Sequence, residues 1–241
     1  MIVTAEKTVG EIASQAPAAA RVFEKYGIDY CCAGKVLLEQ ACRERGIAPE
    51  ELFAELENAA GGSPGEEKDW TSASLSDLIQ HILEIHHAYL KEQLPRLAQI
   101  IEKVVAAHGE KHGESLLPLQ TVFRELKDEL ESHMWKEEIV LFPLIRNLEE
   151  AGSAGGPLPP AHCGSINNPI RVMEHEHEAA GRALSGMRSL TRNYTLPEDA
   201  CNTYRVLYYE LPQLEADLHR HIHLENNILF PRAARLEASL L

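Results

Sequence analysis

The chain has 241 residues, an ordinary apolar content of 44% and a net charge of −14. So acidic a balance excludes a phosphate-backbone binder, whose affinity rests on clustered Lys and Arg, and the length suits one large domain or a large and a small one. With no uncharged apolar run of about 18 residues and no signal-peptide core, the expectation is a cytoplasmic protein without membrane contact, and five cysteines without framework spacing argue against a secreted disulfide scaffold.

Thr8 and Glu11 form a capping-box pattern that opens a first short helix. The stretches "AAARVFEKYG" and "KVLLEQACRERG" each end in a glycine suited to the position just past a helix. "PEELFAELENAA" begins with proline in a first helical turn. Together they predict a small helical Cys-Cys domain over residues 1–60, marginal in stability by itself. The Gly-Gly-Ser-Pro-Gly run at 61–65 marks a linker, assigned to 61–73.

Long helical patterns then run over about 75–107, 115–148, 167–191 and 198–238, with a second break at "EEAGSAGGPLPPAHCGS". Nothing alternates with period two over a useful length. The expected fold is therefore all-α, with an up-down four-helix bundle over 74–241. Pro95 and Pro212 fall inside helical patterns and are expected to kink or break them.

The second and fourth patterns carry one frame twice: "LESHMWKEEIVLFPLI" and "LHRHIHLENNILFPRA" share His-x3-Glu and Leu-Phe-Pro at an offset of 88 positions, from 133 to 221. The core stripe of one reads Leu126, Leu130, His133, Glu137, Val140, Leu144, and that of the other Leu214, Leu218, His221, Glu225, Ile228. Each His and Glu lie one turn apart, roughly 6 Å along the axis. Burying an imidazole and a carboxylate without partners costs several kcal/mol, so doing it twice at matched positions requires ion pairing or a metal. The other two helices supply one inward histidine each, His87 beside Leu83, Leu90 and Leu94, and His177 beside Met173, Ala180 and Leu184. Four imidazoles and two carboxylates then meet in the bundle core. Imidazole suits iron and its neighbours and carboxylate the harder ions, so this donor set fits two non-haem irons joined by two bridging glutamates and an oxo or hydroxo group. A lone His-x3-Glu is usually a surface pair; the matched repeat and its inward partners weigh against that here. His86, His175, His219 and His223 are expected to be solvated, and His108, 21 residues beyond His87, falls outside the centre on a straight helix.

The order His, His-x3-Glu, His, His-x3-Glu resembles the hemerythrin-like domain. "YGIDYCCAGK" at 26–35 resembles the small cysteine-bearing domain that precedes it in the RIC (repair of iron centres) family, and "EKDW", "KEQLP", "SHMWKEEIVLFP" and "HLENNILFPRA" fit the same family. The resemblance covers nearly the whole chain. It implies a cytoplasmic, stress-induced protein that helps restore iron–sulfur clusters damaged by nitrosative or oxidative stress, with damaged iron–sulfur proteins as partners, nitric oxide and oxygen as small ligands, and a homodimer. It carries over as metal ligands His87, His133, Glu137, His177, His221 and Glu225, the glutamates being the bridges. One departure separates the chain from oxygen-carrying hemerythrins, which show His-x3-His on the third helix: Gly181 stands four residues after His177. The expectation is a more labile, more reactive centre.

Cys31 and Cys32 can close only a strained ring, so a structural disulfide is not expected. Lys35 nearby favours thiolate, and the resemblance points to thiol redox, acceptance of nitrosyl groups or contact with a client cluster. Cys42, Cys163 and Cys201 are read as structural. Three roles remain open for the centre: iron supply to damaged clusters, which is favoured, nitric oxide reduction, and non-catalytic gas sensing.

Overall fold

In the computed structural model, which describes residues 4, 6–61, 68–154 and 164–241, all regular elements among the described residues are helical, apart from an isolated bridge between Thr8 and Leu37. Two units can be distinguished, one of Met1–Gln80, Ile145–Ile166 and His219–Leu241, the other of His81–Leu144 and Asn167–Leu218.

In the first unit, α1 (Val9–Gln15) opens on the expected box: Thr8 Oγ1 accepts from the Glu11 N–H at 3.2 Å, and the Glu11 carboxylate accepts from the Thr8 N–H at 2.9 Å. Helices α2 (Ala18–Tyr26) and α3 (Leu38–Arg45) both end on left-handed glycines, Gly27 and Gly46, at φ 64° and 67°. Helix α4 (Pro49–Gly61) takes in the first linker glycine. The rest of the Gly-Ser-Pro run, 62–67, and residues 155–163 of the second break, Cys163 among them, lie outside the described residues. Val9, Ile12, Phe23, Leu38, Leu52 and Leu56 close the core of this small helical region.

The same unit holds the start of α5 (Leu75–His81), the turn Leu224–Leu229 and α10 (Phe230–Leu240). The Glu149 carboxylate, on α7 (Phe142–Ala154), caps α5 by accepting from the N–H groups of Leu75 and Ser76. The cysteine loop seats on the Leu224–Leu229 turn. Asn227 Nδ2 donates to the carbonyls of Tyr30 and Cys31 at 3.1 and 3.3 Å, and the Gly10 N–H donates to Gly34 O at 2.9 Å. A Cβ on Gly10 would lie 2.5 Å from Asn227 Oδ1 and 2.8 Å from Gly34 O, so only glycine fits there.

The second unit is built from long helices. Between Ala88 and Lys136, α6 departs from helical dihedrals only at His112 (φ −119°, ψ 21°), where the chain reverses. Pairing of Lys91 with Glu138 and of Arg124 with Glu102 shows the two arms running antiparallel. Helix α8 (Asn167–Leu190) joins the second arm through Glu176, which accepts from His133 and Lys136. The first seventeen residues of α9 (Asn202–His223) lie along the first arm through Arg96–Glu210 and His86–Asp217 contacts, and along α8 through Arg188–Glu215. These pairings are those of an up-down hemerythrin-like bundle.

Pro95 and Pro212 break neither helix. Pro95 is exposed and Pro212 half-buried, so a carbonyl that loses its donor one turn earlier can turn to water. Gly186 on α8 has open space where a Cβ would stand. Gly186→Ala is expected to raise stability by roughly 0.5–1 kcal/mol, read as a shift of the denaturant midpoint, because the helix gains propensity without a clash.

Candidate metal centre

The helices change pitch at the histidine and glutamate frame. One-turn π segments occupy Ile82–His87, Glu137–Leu141 and Leu224–Leu229. Two of these immediately precede Phe142-Pro143 and Phe230-Pro231. A helical proline clashes with the carbonyl four residues back, which here belongs to Ile139 and Asn227, both inside the widened turns. The Leu-Phe-Pro repeat thus places a π turn at each glutamate, a feature found at functional sites.

The extra residue also shifts the core stripe by one. Val140, expected inside, is exposed, and Leu141, Phe142 and Ile145 are buried in place of Val140 and Leu144. Phe142 stacks on the His87 ring at 5.7 Å.

Within the second unit, His87, His133, Glu137 and His177 are all at most 2% exposed. The two Glu137 oxygens face two different imidazoles: Oε2 lies 3.3 Å from His87 Nε2, and Oε1 lies 3.3 Å from His133 Nε2. His177 Nε2 is 3.0 Å from His133 Nε2. His87 Nδ1 is bonded to Glu138 at 2.7 Å and His133 Nδ1 to Glu176 at 2.8 Å. A carboxylate is acceptor-only, so each Nδ1 is the donor there. That places the ring proton outward and turns each Nε2 lone pair toward Glu137. Lone pairs facing carboxylate oxygens need a cation between them, so the donor set fits a metal.

Glu176 is held at about 2 by the His133 hydrogen bond and by Lys136, against the effect of burial, so it stays ionised. Burial opposes ionisation of Glu138, but Lys91 and His87 outweigh it and keep its carboxyl below the usual range. In the first unit, His221 and Glu225 form the matching pair, Nε2 to Oε1 at 3.1 Å, at 2% and 0% exposure.

Glu138 and Glu176 were missed in the sequence, although each directly adjoins a ligand candidate, Glu137 or His177, and faces a lysine one arm away. The off-stripe histidines divide. His175 is exposed and runs with Glu178 and Arg182 as expected. His86 is instead buried and bonded to Asp217 at 3.0 Å. His223 is buried against the Tyr30 ring at 5.4 Å and Asn227 at 3.1 Å. His86 lies inside the Ile82–His87 π turn, whereas His223 is covered by Tyr30 of the cysteine loop. Burial takes His223 down to about 4, so it is uncharged at neutral pH.

In the cysteine loop, Asp29 Oδ1 accepts from the N–H groups of Cys31 and Cys32 at 3.0 and 2.8 Å, and the two sulfurs lie 3.7 Å apart. Thiolate at Cys31, expected from Lys35, is not favoured. The Cys32 hydrogen bond, burial and the neighbouring Asp29 charge hold this thiol well above its ordinary value. Cys42 is a buried core residue as expected. Cys201 is exposed, and the Tyr204 N–H and His108 lower its thiol to about 7, so it is not structural packing.

Buried imidazoles paired about a carboxylate inside a helical bundle define a cation-binding helical protein. Residues 78–233 match the hemerythrin HHE cation binding domain, and residues 5–60 match a domain of unknown function, DUF542. The chain is 40% identical over 237 residues to the iron-sulfur cluster repair protein YtfE of Musicola paradisiaca, covering 97% of this chain and 98% of that one. It is 39% identical to the protein of the same name from Pectobacterium carotovorum subsp. carotovorum, covering 96% and 98%. A probable iron-sulfur cluster repair protein of Haemophilus influenzae is 37% identical over 95% and 96%. The chain belongs to the RIC family of iron–sulfur cluster repair proteins with a hemerythrin-like domain. No helix among the described residues is long and apolar enough to cross a membrane.

Proposed function

We propose that this chain holds two non-haem irons on His87, His133, Glu137, His177, His221 and Glu225, with both glutamates as bridges. We further propose that it serves the repair of iron–sulfur clusters damaged by nitrosative or oxidative stress, by supplying iron in the cytoplasm. The observation that carries the reading is Glu137, whose two oxygens each address a different imidazole at 3.3 Å, as a carboxylate shared by two cations does. The names of the relatives and the matched His-Glu pair at His221 and Glu225 support it. When bound, iron supplies a reducible metal that can leave for a client and can accept nitric oxide or oxygen. The chain's residues hold it in a water-poor core, with Glu138 and Glu176 fixing the ring orientation of two ligands. Cys31 and Cys32 serve as the thiol pair presented to the client. A homodimer belongs to this reading and is tested by sedimentation.

Iron-loaded protein is mixed with a cluster enzyme that has lost its cluster, with sulfide and reductant but no free iron. Recovery of the enzyme in step with iron loss from this chain is expected. Recovery only after iron salts are added would sink the donor reading, and steady nitrous oxide formation under anaerobic nitric oxide would replace it with a reductase. Glu176→Ala should weaken iron retention roughly 10–100-fold, the usual loss for an outer partner of a ligand. His175→Ala should retain both irons, since that side chain is solvated. Iron analysis after dialysis against a chelator checks both variants.

A further inference from the structure

A second cluster of metal-ligating side chains stands in the second unit, away from the residues assigned above. His112 stands at the reversal in α6 with His108 one turn before it, and Asp199 and Cys201 precede α9. One ligand atom each of His108, His112 and Asp199 lies within 4.8 Å of the others. His112 Nε2 is 2.9 Å from Asp199 Oδ1, while Lys111 holds the second oxygen at 2.6 Å. Tyr204, only 2% exposed, backs both rings, at 5.3 Å from His108 and 6.3 Å from His112.

Cys201 is the N-cap of α9: its carbonyl accepts from the Arg205 N–H at 3.0 Å. The Tyr204 N–H and His108 both act on its thiol, so the sulfur neighbours the His108 ring. An exposed Lys–Asp pair accounts for Lys111 and Asp199. It does not account for two imidazoles gathered at the same carboxylate from segments nearly ninety positions apart in sequence, the 87 between His112 and Asp199.

We propose that His108, His112, Asp199 and Cys201 form a second metal site, distinct from the iron centre, for one zinc-class divalent cation. Two nitrogens, one oxygen and one sulfur match tetrahedral zinc, whose bonds to these donors are about 2.0–2.3 Å. The cation takes the place of the proton between His112 Nε2 and Asp199 Oδ1, widening that contact from 2.9 Å to roughly 3.3 Å. Lys111 remains on the outer oxygen and orients the carboxylate. Partial exposure of all four side chains leaves an entry path. Bound there, the cation clips the α6 reversal to the start of α9.

The test uses the full chain already loaded with iron. Equilibrium dialysis against Zn²⁺ should add about one zinc per chain with the iron content unchanged. His112→Ala and Asp199→Asn should each lower zinc affinity at least about tenfold without altering iron. Zinc should also slow alkylation of Cys201 by iodoacetamide, read by mass spectrometry, and leave Cys32 labelling as it was. Three outcomes overturn the site: no zinc beyond the iron centre, zinc uptake matched by iron loss, or uptake undiminished in the His112 and Asp199 variants. Unprotected Cys201 with zinc bound removes the sulfur ligand and overturns the four-ligand assignment.

Discussion

Glu137→Leu is expected to strip iron from the chain while leaving the iron-free protein at least as stable as the parent. The side chain is fully buried, and both its oxygens face imidazole nitrogens at 3.3 Å. Holding a carboxylate there costs several kcal/mol of desolvation, which only a cation repays. Leucine of similar volume removes that cost together with the bridge. Iron retention should therefore fall by more than the roughly 10–100-fold set by an outer partner such as Glu176. Thermal unfolding of the two apoproteins should show an equal or higher midpoint for the variant. Glu225→Leu should behave alike, since that carboxylate is likewise fully buried and lies 3.1 Å from an imidazole, that of His221. If the apo variant instead melts far below the parent, the glutamate is a structural ion-pair partner and not a metal ligand held at a stability cost.

Gly10→Ala should unseat the cysteine loop. The added methyl group meets Gly34 O at 2.8 Å and Asn227 Oδ1 at 2.5 Å, and the first is backbone that no rotamer change can move. Overpacking of this kind destabilises by about 1–3 kcal/mol. Because Asn227 and Asn226 hold the Tyr30 and Cys31 carbonyls, the strain should reach the thiol pair. Cys32 alkylation should quicken, and the urea midpoint should drop, with iron per chain unchanged. A variant with the parent's midpoint and labelling rate would mean that the loop seats in another way. Gly186→Ala, with nothing near its Cβ, provides the opposite control.

The helical class and the paired frame of His133–Glu137 and His221–Glu225 were legible because helical periodicity is written in the order of residues. A histidine and a glutamate one turn apart on an otherwise apolar stripe identify themselves by the cost of burying them. The inward placement of His87 and His177 followed from the same stripe. The exposure of Val140 did not, because the stripe was extended with an α-helical period through a turn that has widened to a π turn. His86 lies in another such turn, and His223 is covered by Tyr30 from a distant segment, which no helical period reports. Pro143 and Pro231 held the signal, since a proline six residues beyond each glutamate disturbs the hydrogen-bond ladder two residues past it.

By itself the sequence determined that His133, Glu137, His221 and Glu225 would be buried at a cost and therefore what chemistry could offset that cost. Both follow from local periodicity and residue type. Tertiary structure alone decided that Glu138 and Glu176 bond the rings of His87 and His133, that Asn227 receives the cysteine loop, and that His112 meets Asp199. Each joins segments between 43 and 197 positions apart, and no periodicity in a single helix reports on what a second helix brings against it.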